Sequence, residues 1–304
     1  MYRSQKHAKF VNGKKFQARH PEVFPICIPS YNRPEPKILE GVDDSLPLVF
    51  FVRKEQLEDY KYLRERFRVV PITGVSDIGE TRAKIVKWAK KKGYSDIFML
   101  DDDITSLDYL YPGETRGGNT CMRASKLNQG KPLKGLNPTA FRIWMYWLDK
   151  LDDEFLVASA PLYRPDSWHM KNADAPMRYN SGIVSQCIHL NIDKLCELGI
   201  QYESNAEEGV EDYALQFKIM NAGYKTVVLT DLVYDCPPIN SCAGGCEGMN
   251  GYSDAAKRYE FFHKQFLKNV CGRDHPGIVT KTSRSGFKTI KFNWKYWRDQ
   301  LEES

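Results

Sequence analysis

Short apolar runs alternate with charged, amphipathic segments along most of the chain. Runs rich in Val, Ile and Phe are typical of buried β-strands, whereas apolar residues spaced three to four apart indicate helices. The pattern predicts strands at 24–29, 48–52, 68–72, 97–100, 155–160 and 226–230. It predicts helices at 54–66, 78–92, 139–150, 192–198 and 212–221. Because strands and helices alternate, we predict an α/β fold class with a mixed, mainly parallel sheet flanked by helices.

Two polar stretches interrupt this alternation. Residues 111–138 are rich in Gly, Pro, Asn and Thr, which predicts a long loop. Loops of that length usually carry function. Residues 161–180 form a second polar stretch, which contains Trp168 and His169.

The most informative segment is 97–103, in which four apolar residues lead directly into Asp101, Asp102 and Asp103. Ligands of open α/β sheets bind at the carboxyl ends of such strands. Neighbouring carboxylates repel each other, and hard oxygen ligands suit Mg²⁺ or Mn²⁺ with a diphosphate as co-ligand. An extended chain would point Asp101 and Asp103 the same way and Asp102 the other way. The alternative is an acidic loop or helix cap without a metal.

The composition supports a full hydrophobic core, with 42% hydrophobic and 27% charged residues in a chain of 304. No apolar stretch has the length of a membrane span, and residues 1–10 lack the apolar core of a signal peptide. We therefore expect a cytoplasmic protein without a membrane partner.

The net charge of +5 is unevenly distributed, because residues 1–21 and 281–298 carry bases and no acids. An acidic body with two basic ends suggests a polyanionic partner such as DNA. Aromatic residues among the C-terminal bases suit phosphate contact with base stacking. The candidate nucleic-acid contacts are Lys281, Arg284, Lys288, Lys291 and Trp294. The alternative is a terminal strand or helix that docks its aromatic side chains on the core and solvates its lysines.

Eight cysteines are scattered along the chain. In an intracellular protein of this size most are expected to be reduced core residues. The group Cys236, Cys242, Cys246 and Cys271 leaves structural zinc open, although its spacing matches none of the compact zinc patterns.

Three features occur in an order that resembles the GT-A glycosyltransferases, which use nucleotide-sugar donors. The first is an apolar strand followed by the loop 28–33, Ile-Pro-Ser-Tyr-Asn-Arg. The second is the acidic segment 101–103, similar to the Asp-x-Asp motif of that group. The third is Glu211-Asp212 at the start of an apolar helix, similar to the catalytic-base motif. A helix start at 79–84 is also similar, with Arg82 in the arginine position.

The resemblance implies a Rossmann-like GT-A fold, an inverting direct displacement, and Mn²⁺ or Mg²⁺ on the diphosphate of a nucleotide sugar, with a UDP-sugar favoured. It implies that Asp212 is the general base, with Glu211 as the fallback. The implied metal ligands are Asp101, Asp103 and Asp235. The implied donor-binding residues are Pro29, Ser30, Tyr31, Arg33, Asp77, Arg82, Asp101 and Asp102.

Within the GT-A group, the whole chain resembles the enzymes associated with TET/JBP oxygenases and their phage relatives. The resemblance implies that the acceptor is a hydroxymethylated cytosine or uracil in DNA. Such a base must be flipped out of the duplex to reach a buried carboxylate. The candidate stacking side chains are Tyr111, Trp168 and Tyr179 together with the aromatic residues of the C-terminal stretch.

Three other functions remain open from the sequence. The acceptor is a glycan or a protein in the first. In the second, Asp101 is the nucleophile of a haloacid-dehalogenase-type phosphatase, whose Asp-x-Asp-x-Thr motif fits 101–105. The third is a non-catalytic GT-A-like module that binds DNA. For the glycosyltransferase we expect a basic arm at 1–22, a GT-A domain at 23–240 and a C-terminal Gly/Cys loop and basic aromatic extension at 241–304, packed on the domain.

Overall fold

The computed structural model describes residues 24–115, 118–123, 135–151, 154–162, 177–204, 211–237, 275–282 and 288–303. Its strands are β1 Ile26–Ser30, β2 Leu48–Arg53, β3 Arg68–Ile72, β4 Asp96–Leu100, β5 Ser106–Thr115, β6 Gly118–Arg123, β7 Gly135–Leu136, β8 Phe155–Ser159, β9 Met177–Tyr179, β10 Cys187–Asn191, β11 Lys225–Leu229, β12 Leu232–Asp235, β13 Ile278–Thr282 and β14 Lys288–Phe292. Its α-helices are α1 Ile78–Lys91, α2 Pro138–Leu148, α3 Ile192–Glu197, α4 Glu211–Asn221 and α5 Trp294–Glu303. None of these helices is both long and apolar enough to cross a lipid bilayer.

A central sheet of eight strands has the order β3-β2-β1-β4-β10-β8-β11-β9. Strands β1 to β4 run parallel, whereas β10 is antiparallel to both of its neighbours and β9 is antiparallel to β11. Because β1 and β4 are parallel neighbours, the loops that follow them lie at the same edge of the sheet. This arrangement is the predicted α/β class with a mixed, mainly parallel sheet.

The core lies on both faces of this sheet, as the period-two alternation of strand side chains requires. Ile28 and Phe50 belong to one buried cluster, which also contains Trp144 of α2. Cys27 and Phe51 belong to the opposite cluster, with residues from α1, α3 and α4. The sheet is therefore covered by helices on both faces, which explains why its central strands read as continuous apolar runs.

A second, smaller sheet begins directly after the acidic segment. Strand β5 pairs with β12, β6 and β7, and Ser106 lies opposite Asp235 in the β5–β12 ladder. A separate hairpin, β13–β14, leads into α5. The hairpin and α5 pack on α4 through a cluster that contains Phe217, Phe292 and Trp297.

Two of the predicted helices and loops were wrong. Residues 54–66 form two short 3₁₀ helices, Lys54–Gln56 and Lys61–Glu65, instead of an α-helix. Tyr60 and Leu63 are the buried side chains there, and a spacing of three is compatible with both helix types. The predicted loop at 111–138 contains most of the β5–β6 hairpin. Pro112 and Gly113, which favoured a loop, lie within β5. The other predicted helices and strands are present, with ends that differ by one or two residues.

Candidate functional site

The acidic segment lies where the sequence predicts, at the carboxyl end of a buried parallel strand. Strand β4 ends at Leu100, and a turn follows in which the Ile104 amide donates to the Asp101 carbonyl at 3.3 Å. The assumption of an extended chain through 101–103 was therefore wrong, and strict alternation of the three side chains does not apply. Asp101 pairs with one arginine, and Asp102 and Asp103 pair with another.

Arg82 is the centre of the first ion-pair group. Its Nη2 lies 2.8 Å from Asp101 Oδ1, and its Nη1 lies 2.6 Å from Glu211 Oε1 and also contacts Asp212 Oδ1. The arginine lies in the first turns of α1, and both partner acids of α4 lie in its first turn. One guanidinium thus joins the end of β4 to the start of α4, and the predicted donor-binding and catalytic residues meet around it.

Arg33 is the centre of the second group. Its guanidinium contacts Asp102, and its Nη1 lies 3.7 Å from Asp103 Oδ2. Ser30 Oγ donates to Asp102 Oδ2 at 2.5 Å, and the Tyr60 hydroxyl lies 3.0 Å from the same Oγ. The β1–β4 register explains this contact, because Ile26 pairs with Phe98 and the parallel strands bring Ser30 beside residue 102. The loop after β1 is thereby fixed to the acidic turn.

Five carboxylates face two guanidinium groups in these contacts, so the site carries an excess of negative charge. Burial raises the pKa of Asp102 to about 7 and, with the charge of Asp101, raises the pKa of Asp103 to about 6. Burial also raises the pKa of Glu211 and of Asp212, against the opposing effect of Arg82. Carboxyl pKa values raised by burial and by neighbouring negative charges are common at functional sites.

The metal expectation can be tested against the donor set. Asp103 Oδ1 is buried and has no hydrogen-bond partner among the described residues, so it is an oxygen available to a cation. Carboxylate oxygens are the ligands that Mg²⁺ and Mn²⁺ prefer. Within the described ranges no three His, Cys, Asp or Glu side chains are already grouped as a metal site. Asp103 Oδ1 is thus open to a metal that would take further ligands from a diphosphate or water, and the assignment of Asp101 and Asp103 as metal ligands stays a prediction.

Asp235, the third predicted metal ligand, lies at the end of β12. Its carbonyl accepts from the Thr105 amide at 2.8 Å, and its Oδ2 accepts from Ser106 Oγ at 3.3 Å. These contacts hold Asp235 beside Thr105 and Ser106, which directly follow the acidic turn. Its role as a ligand stays a prediction.

The contacts of Asp77 favour a structural role over donor binding. Its Oδ1 accepts from the Glu80 amide at 2.8 Å and caps α1, and its Oδ2 accepts from Ser204 Oγ at 2.7 Å. The residue is fully buried. An N-cap of this kind stabilises α1, the helix that carries Arg82, so Asp77 helps to hold Arg82 in position.

Two further donor-binding candidates lie in and after β1. Pro29 is buried in the strand and pairs with Phe51 of β2. Tyr31 lies in the loop, where the Arg53 guanidinium is stacked 4.0 Å from its ring centroid. Arg53 Nη2 also donates to the Ser76 carbonyl at 3.0 Å, which ties this loop to the residues before α1. Tyr31 therefore presents an aromatic ring near the edge at which the acidic turn lies.

Tyr202 and Gln186 were missed by sequence reasoning. Tyr202 is buried, and its ring centroid lies 5.8 Å from the guanidinium carbon of Arg82. Gln186 has a positive φ of 59°, its carbonyl accepts from the Asp101 amide at 2.9 Å, and its Oε1 accepts from the Tyr234 hydroxyl at 2.7 Å. Both residues stand outside any motif, so no local pattern signals their position beside the acidic turn.

The predicted nucleic-acid residues lie partly within the described chain. Lys281 and Lys288 belong to the β13–β14 hairpin, whereas Arg284 lies outside the described residues. Lys291 is exposed, and Trp294 is partly buried with its ring centroid 4.9 Å from that of Phe292. The alternative of docked aromatic side chains holds for Phe292 and Trp297, which are buried against α4, while the exposed bases remain in solvent.

Several other candidates are not covered by the structure. Tyr111 belongs to β5, but its side chain is not described, and Trp168 and His169 lie outside the described residues. The possible zinc site of Cys236, Cys242, Cys246 and Cys271 also lies mostly outside the described residues, which include only Cys236 of this group. Tyr179 lies in β9, with the Lys225 ammonium 5.4 Å from its ring centroid.

Comparison with solved structures gives neighbours of low identity. Residues 1–349 of TarS from S. aureus share 14% identity with a TM-score of 0.45, covering 70% of this chain and 60% of that one. A 4-diphosphocytidyl-2C-methyl-D-erythritol synthase from Anaerococcus prevotii shares 11% identity with a TM-score of 0.40, covering 70% and 91%. GalNAc-T7 with UDP, GalNAc and Mn²⁺ shares 13% identity with a TM-score of 0.33, covering 70% and 43%. The chain thus spans about 60% of the length of the TarS fragment.

Comparison with curated protein sequences gives no significant match. The sequence profile described as TET-Associated Glycosyltransferase matches residues 24–245. The matched range contains both ion-pair groups, from the loop after β1 to the Glu211-Asp212 helix start, and it covers most of the chain. The protein therefore belongs to the TET-associated glycosyltransferase family.

Proposed function

We propose that the protein transfers a sugar from a nucleotide-diphosphate sugar to the hydroxyl of a hydroxymethylated pyrimidine in DNA, with inversion at the anomeric carbon. The observation that carries the proposal is the position of Arg82. It contacts Asp101 at the end of β4 and both acids at the start of α4. A phosphate-binding edge and a candidate general base are thereby held within reach of one side chain, as a displacement at a sugar carbon requires.

The donor is proposed to bind at the edge formed by the loop after β1 and the acidic turn. Ser30, Arg33 and Asp102 lock these two segments together, and Tyr31 offers a ring for stacking on the nucleotide base. Asp101 and Asp103 would hold Mn²⁺ or Mg²⁺. Such a cation stabilises the negative charge that develops on a departing diphosphate. Arg82, in the first turns of α1, offsets part of the negative charge of Asp101 and of the two acids of α4.

Asp212 is proposed as the base that accepts the proton of the acceptor hydroxyl. Its side chain is 14% exposed, against 6% for Glu211, so Asp212 is the more accessible of the two acids. Burial raises the pKa of both carboxyls, which strengthens the ionised form as a proton acceptor. Arg82 contacts both acids and keeps them oriented.

DNA as the acceptor is what the sequence resemblance implies, and the charge of the C-terminal segment supports it. Lys291, Lys295 and Arg298 are exposed on β14 and α5, which pack on the helix that carries Asp212. Exposed lysine and arginine side chains near the helix of the proposed catalytic residue are suited to contact the phosphate backbone of DNA. The acceptor base would then be flipped toward Asp212, at the start of α4.

The test is a transfer assay with the full chain, Mn²⁺ and a panel of UDP-, GDP- and dTDP-sugars. DNA containing 5-hydroxymethylcytosine or 5-hydroxymethyluracil is compared with the same unmodified DNA. We expect nucleotide release that depends on the modified base, and a mass increase of one sugar on the digested nucleoside. Transfer to a glycan or protein but not to either DNA would replace the proposed acceptor. Binding of DNA without donor binding or hydrolysis would identify a recognition module.

A phosphatase that uses Asp101 as nucleophile is not favoured. The motif of such an enzyme follows the first strand of the sheet, whereas β1, β2 and β3 all precede β4 and Asp101. Release of phosphate from a generic phosphomonoester would instead favour a phosphatase.

A further inference from the structure

Tyr202 has a buried hydroxyl that no described residue uses. The residue is 3% exposed, and its hydroxyl has no hydrogen-bond partner among the residues that the structure describes. Buried polar atoms in native proteins are nearly always paired, so an exception needs an explanation such as a ligand. The aromatic ring alone would serve the core as well without the oxygen.

The surroundings of Tyr202 are those of the candidate active site. Its ring centroid lies 5.8 Å from the guanidinium carbon of Arg82. Burial raises the pKa of Tyr202 well above its usual range, and the charges of Asp212, Glu211 and Asp101 raise it further while Arg82 lowers it. The phenol is therefore protonated at neutral pH and is able to donate a hydrogen bond to an acceptor near these groups.

A second unused donor lies on the arginine beside it. Arg82 Nε is also buried without a hydrogen-bond partner in the described part of the chain, although both Nη atoms are paired. Two donors without a partner among the described residues, on neighbouring side chains, suit an acceptor supplied by a ligand. The nucleotide sugar carries such acceptors on its diphosphate and on its sugar hydroxyls.

The backbone around Tyr202 is fixed against the helix that carries Arg82. Ser204 Oγ donates to the Asp77 cap at 2.7 Å. Gly79, in the first turn of α1, lies so close to the Glu203 carbonyl that a Cβ there would collide with it. The phenol is therefore held in place before any ligand arrives, which favours a binding role over an accidental orientation.

We infer that Tyr202 is a donor-binding residue whose hydroxyl donates a hydrogen bond to an oxygen of the bound nucleotide sugar. The inference rests on the proposed function. The oxygen belongs either to the diphosphate or to the sugar, and the two sources are separable by experiment. Sequence motifs do not single out this residue, because it follows the short helix α3 in a segment without a distinctive pattern.

The test compares wild type with Tyr202→Phe, which keeps the ring and its contact with Arg82 but removes the oxygen. Tyr224→Phe is the matched control, since Tyr224 packs on the same core cluster and its ring lies beside Lys194, away from the acidic turn. Calorimetry with Mn²⁺ measures the affinity for the tightest-binding nucleotide sugar of the panel and for its parent nucleoside diphosphate. Thermal unfolding of all three proteins is recorded in parallel.

We expect Tyr202→Phe to be at least as stable as wild type and to bind the nucleotide sugar about 3- to 10-fold more weakly, or more if the acceptor is charged. Loss for both ligands assigns the oxygen to the diphosphate, and loss for the nucleotide sugar alone assigns it to the sugar. Unchanged affinity, as when a water satisfies the hydroxyl, overturns the inference, and so does a marked loss of stability. If wild type itself binds no nucleotide sugar, the proposed function fails and the inference fails with it.

Discussion

Arg82 Nη1 and Glu211 Oε1 lie 2.6 Å apart, although 129 positions separate them in the chain. The arginine is buried in the first turns of α1, and the glutamate is buried at the start of α4. Because Asp101 and Asp212 contact the same guanidinium, this one side chain organises three carboxylates. Removing it would leave buried negative charges without compensation, which is far more costly than the loss of a surface pair.

Arg82→Gln is therefore expected to destabilise the protein by about 3 to 5 kcal/mol. Arg82→Lys keeps the charge, but a single ammonium does not reproduce the fork that contacts three acids. The lysine variant should be more stable than the glutamine variant and should still lose most of its donor binding. Urea unfolding and calorimetry with a nucleotide sugar measure the two effects.

The control is Arg66, whose exposed guanidinium pairs with Asp44. Arg66→Lys should change the free energy of unfolding by less than about 1 kcal/mol, because exposed ion pairs contribute little. Equal stability of Arg82→Gln and wild type would show that the buried group does not hold the site together.

Asp212→Asn keeps the size of the side chain but removes its ability to accept a proton. A positioned general base contributes roughly 10² to 10⁴-fold to the rate, so sugar transfer should fall by about that factor while donor binding survives. Glu211→Gln should cost less, because Glu211 is the more buried acid. The readout is single-turnover transfer at saturating donor.

The roles of these two acids are distinguished by the pattern of loss. Normal transfer by Asp212→Asn together with a large loss in Glu211→Gln would assign the base to Glu211. Two active variants would mean that the acids only orient Arg82 and start the helix.

Local sequence patterns predicted the main strands of the central sheet, with ends within one or two residues of those observed. The apolar run before Asp101 and the run at 26–30 are buried on both faces, so their reading as parallel strands needed no tertiary information. Their shared edge then follows from topology alone. That β1 and β4 are neighbours, which places the loop after β1 beside the acidic turn, is known only from the structure.

Other contacts could not be predicted from local patterns. Tyr202 reaches Arg82 only because residues 202–204 pack on the start of α1, a contact between segments more than 100 positions apart. The role of Asp77 as a doubly engaged cap depends equally on Ser204. The C-terminal aromatic residues were readable either as a nucleic-acid surface or as core, and only the packing on α4 separates Phe292 from the exposed Lys291.

Asp103→Asn tests the metal. The pKa of Asp103 is raised to about 6 by burial and by the charge of Asp101, so the neutral amide relieves repulsion and should not lower the free energy of unfolding. Removal of a ligand oxygen's charge should abolish the Mn²⁺ dependence of nucleotide binding and nearly all transfer. The measurement is nucleotide affinity with Mn²⁺ and with EDTA. A variant with full turnover and the same response to Mn²⁺ would remove Asp103 from the metal site.

The exposed C-terminal bases provide a test of DNA binding that leaves the fold intact. Deleting the segment would expose α4, because Phe292 and Trp297 are buried against it. Replacing Lys291, Lys295 and Arg298 by Gln should instead weaken binding and lower the slope of log K against log salt by about 0.9 for each phosphate that the variant no longer neutralises. Fluorescence anisotropy between roughly 50 and 200 mM salt measures this slope, because phosphate binding weakens steeply over that range.

The matched control removes the same number of charges at the far end of α1, by Gln substitution of the exposed Lys87, Lys91 and Lys92. Equal loss of affinity in the two triple variants would indicate a general charge effect rather than a DNA surface on the C-terminal segment.

Gly79 gives a prediction in which packing and helix propensity have opposite signs. Alanine is favoured over glycine within a helix by about 1 kcal/mol, so propensity alone predicts that Gly79→Ala stabilises α1. A Cβ at this position would instead collide with the backbone carbonyl of Glu203, which is not a flexible side-chain end. We expect the clash to dominate and to destabilise the protein by roughly 1 to 3 kcal/mol.

Gly93→Ala is the control, since its φ of +78° strains a side chain but its Cβ meets open space. That variant should lose about 1 kcal/mol in urea unfolding without loss of donor affinity. Gly79→Ala should lose both, because the displaced segment carries Tyr202 beside Arg82. A stabilised Gly79→Ala with normal donor binding would show that residues 202–204 do not pack on α1 as described.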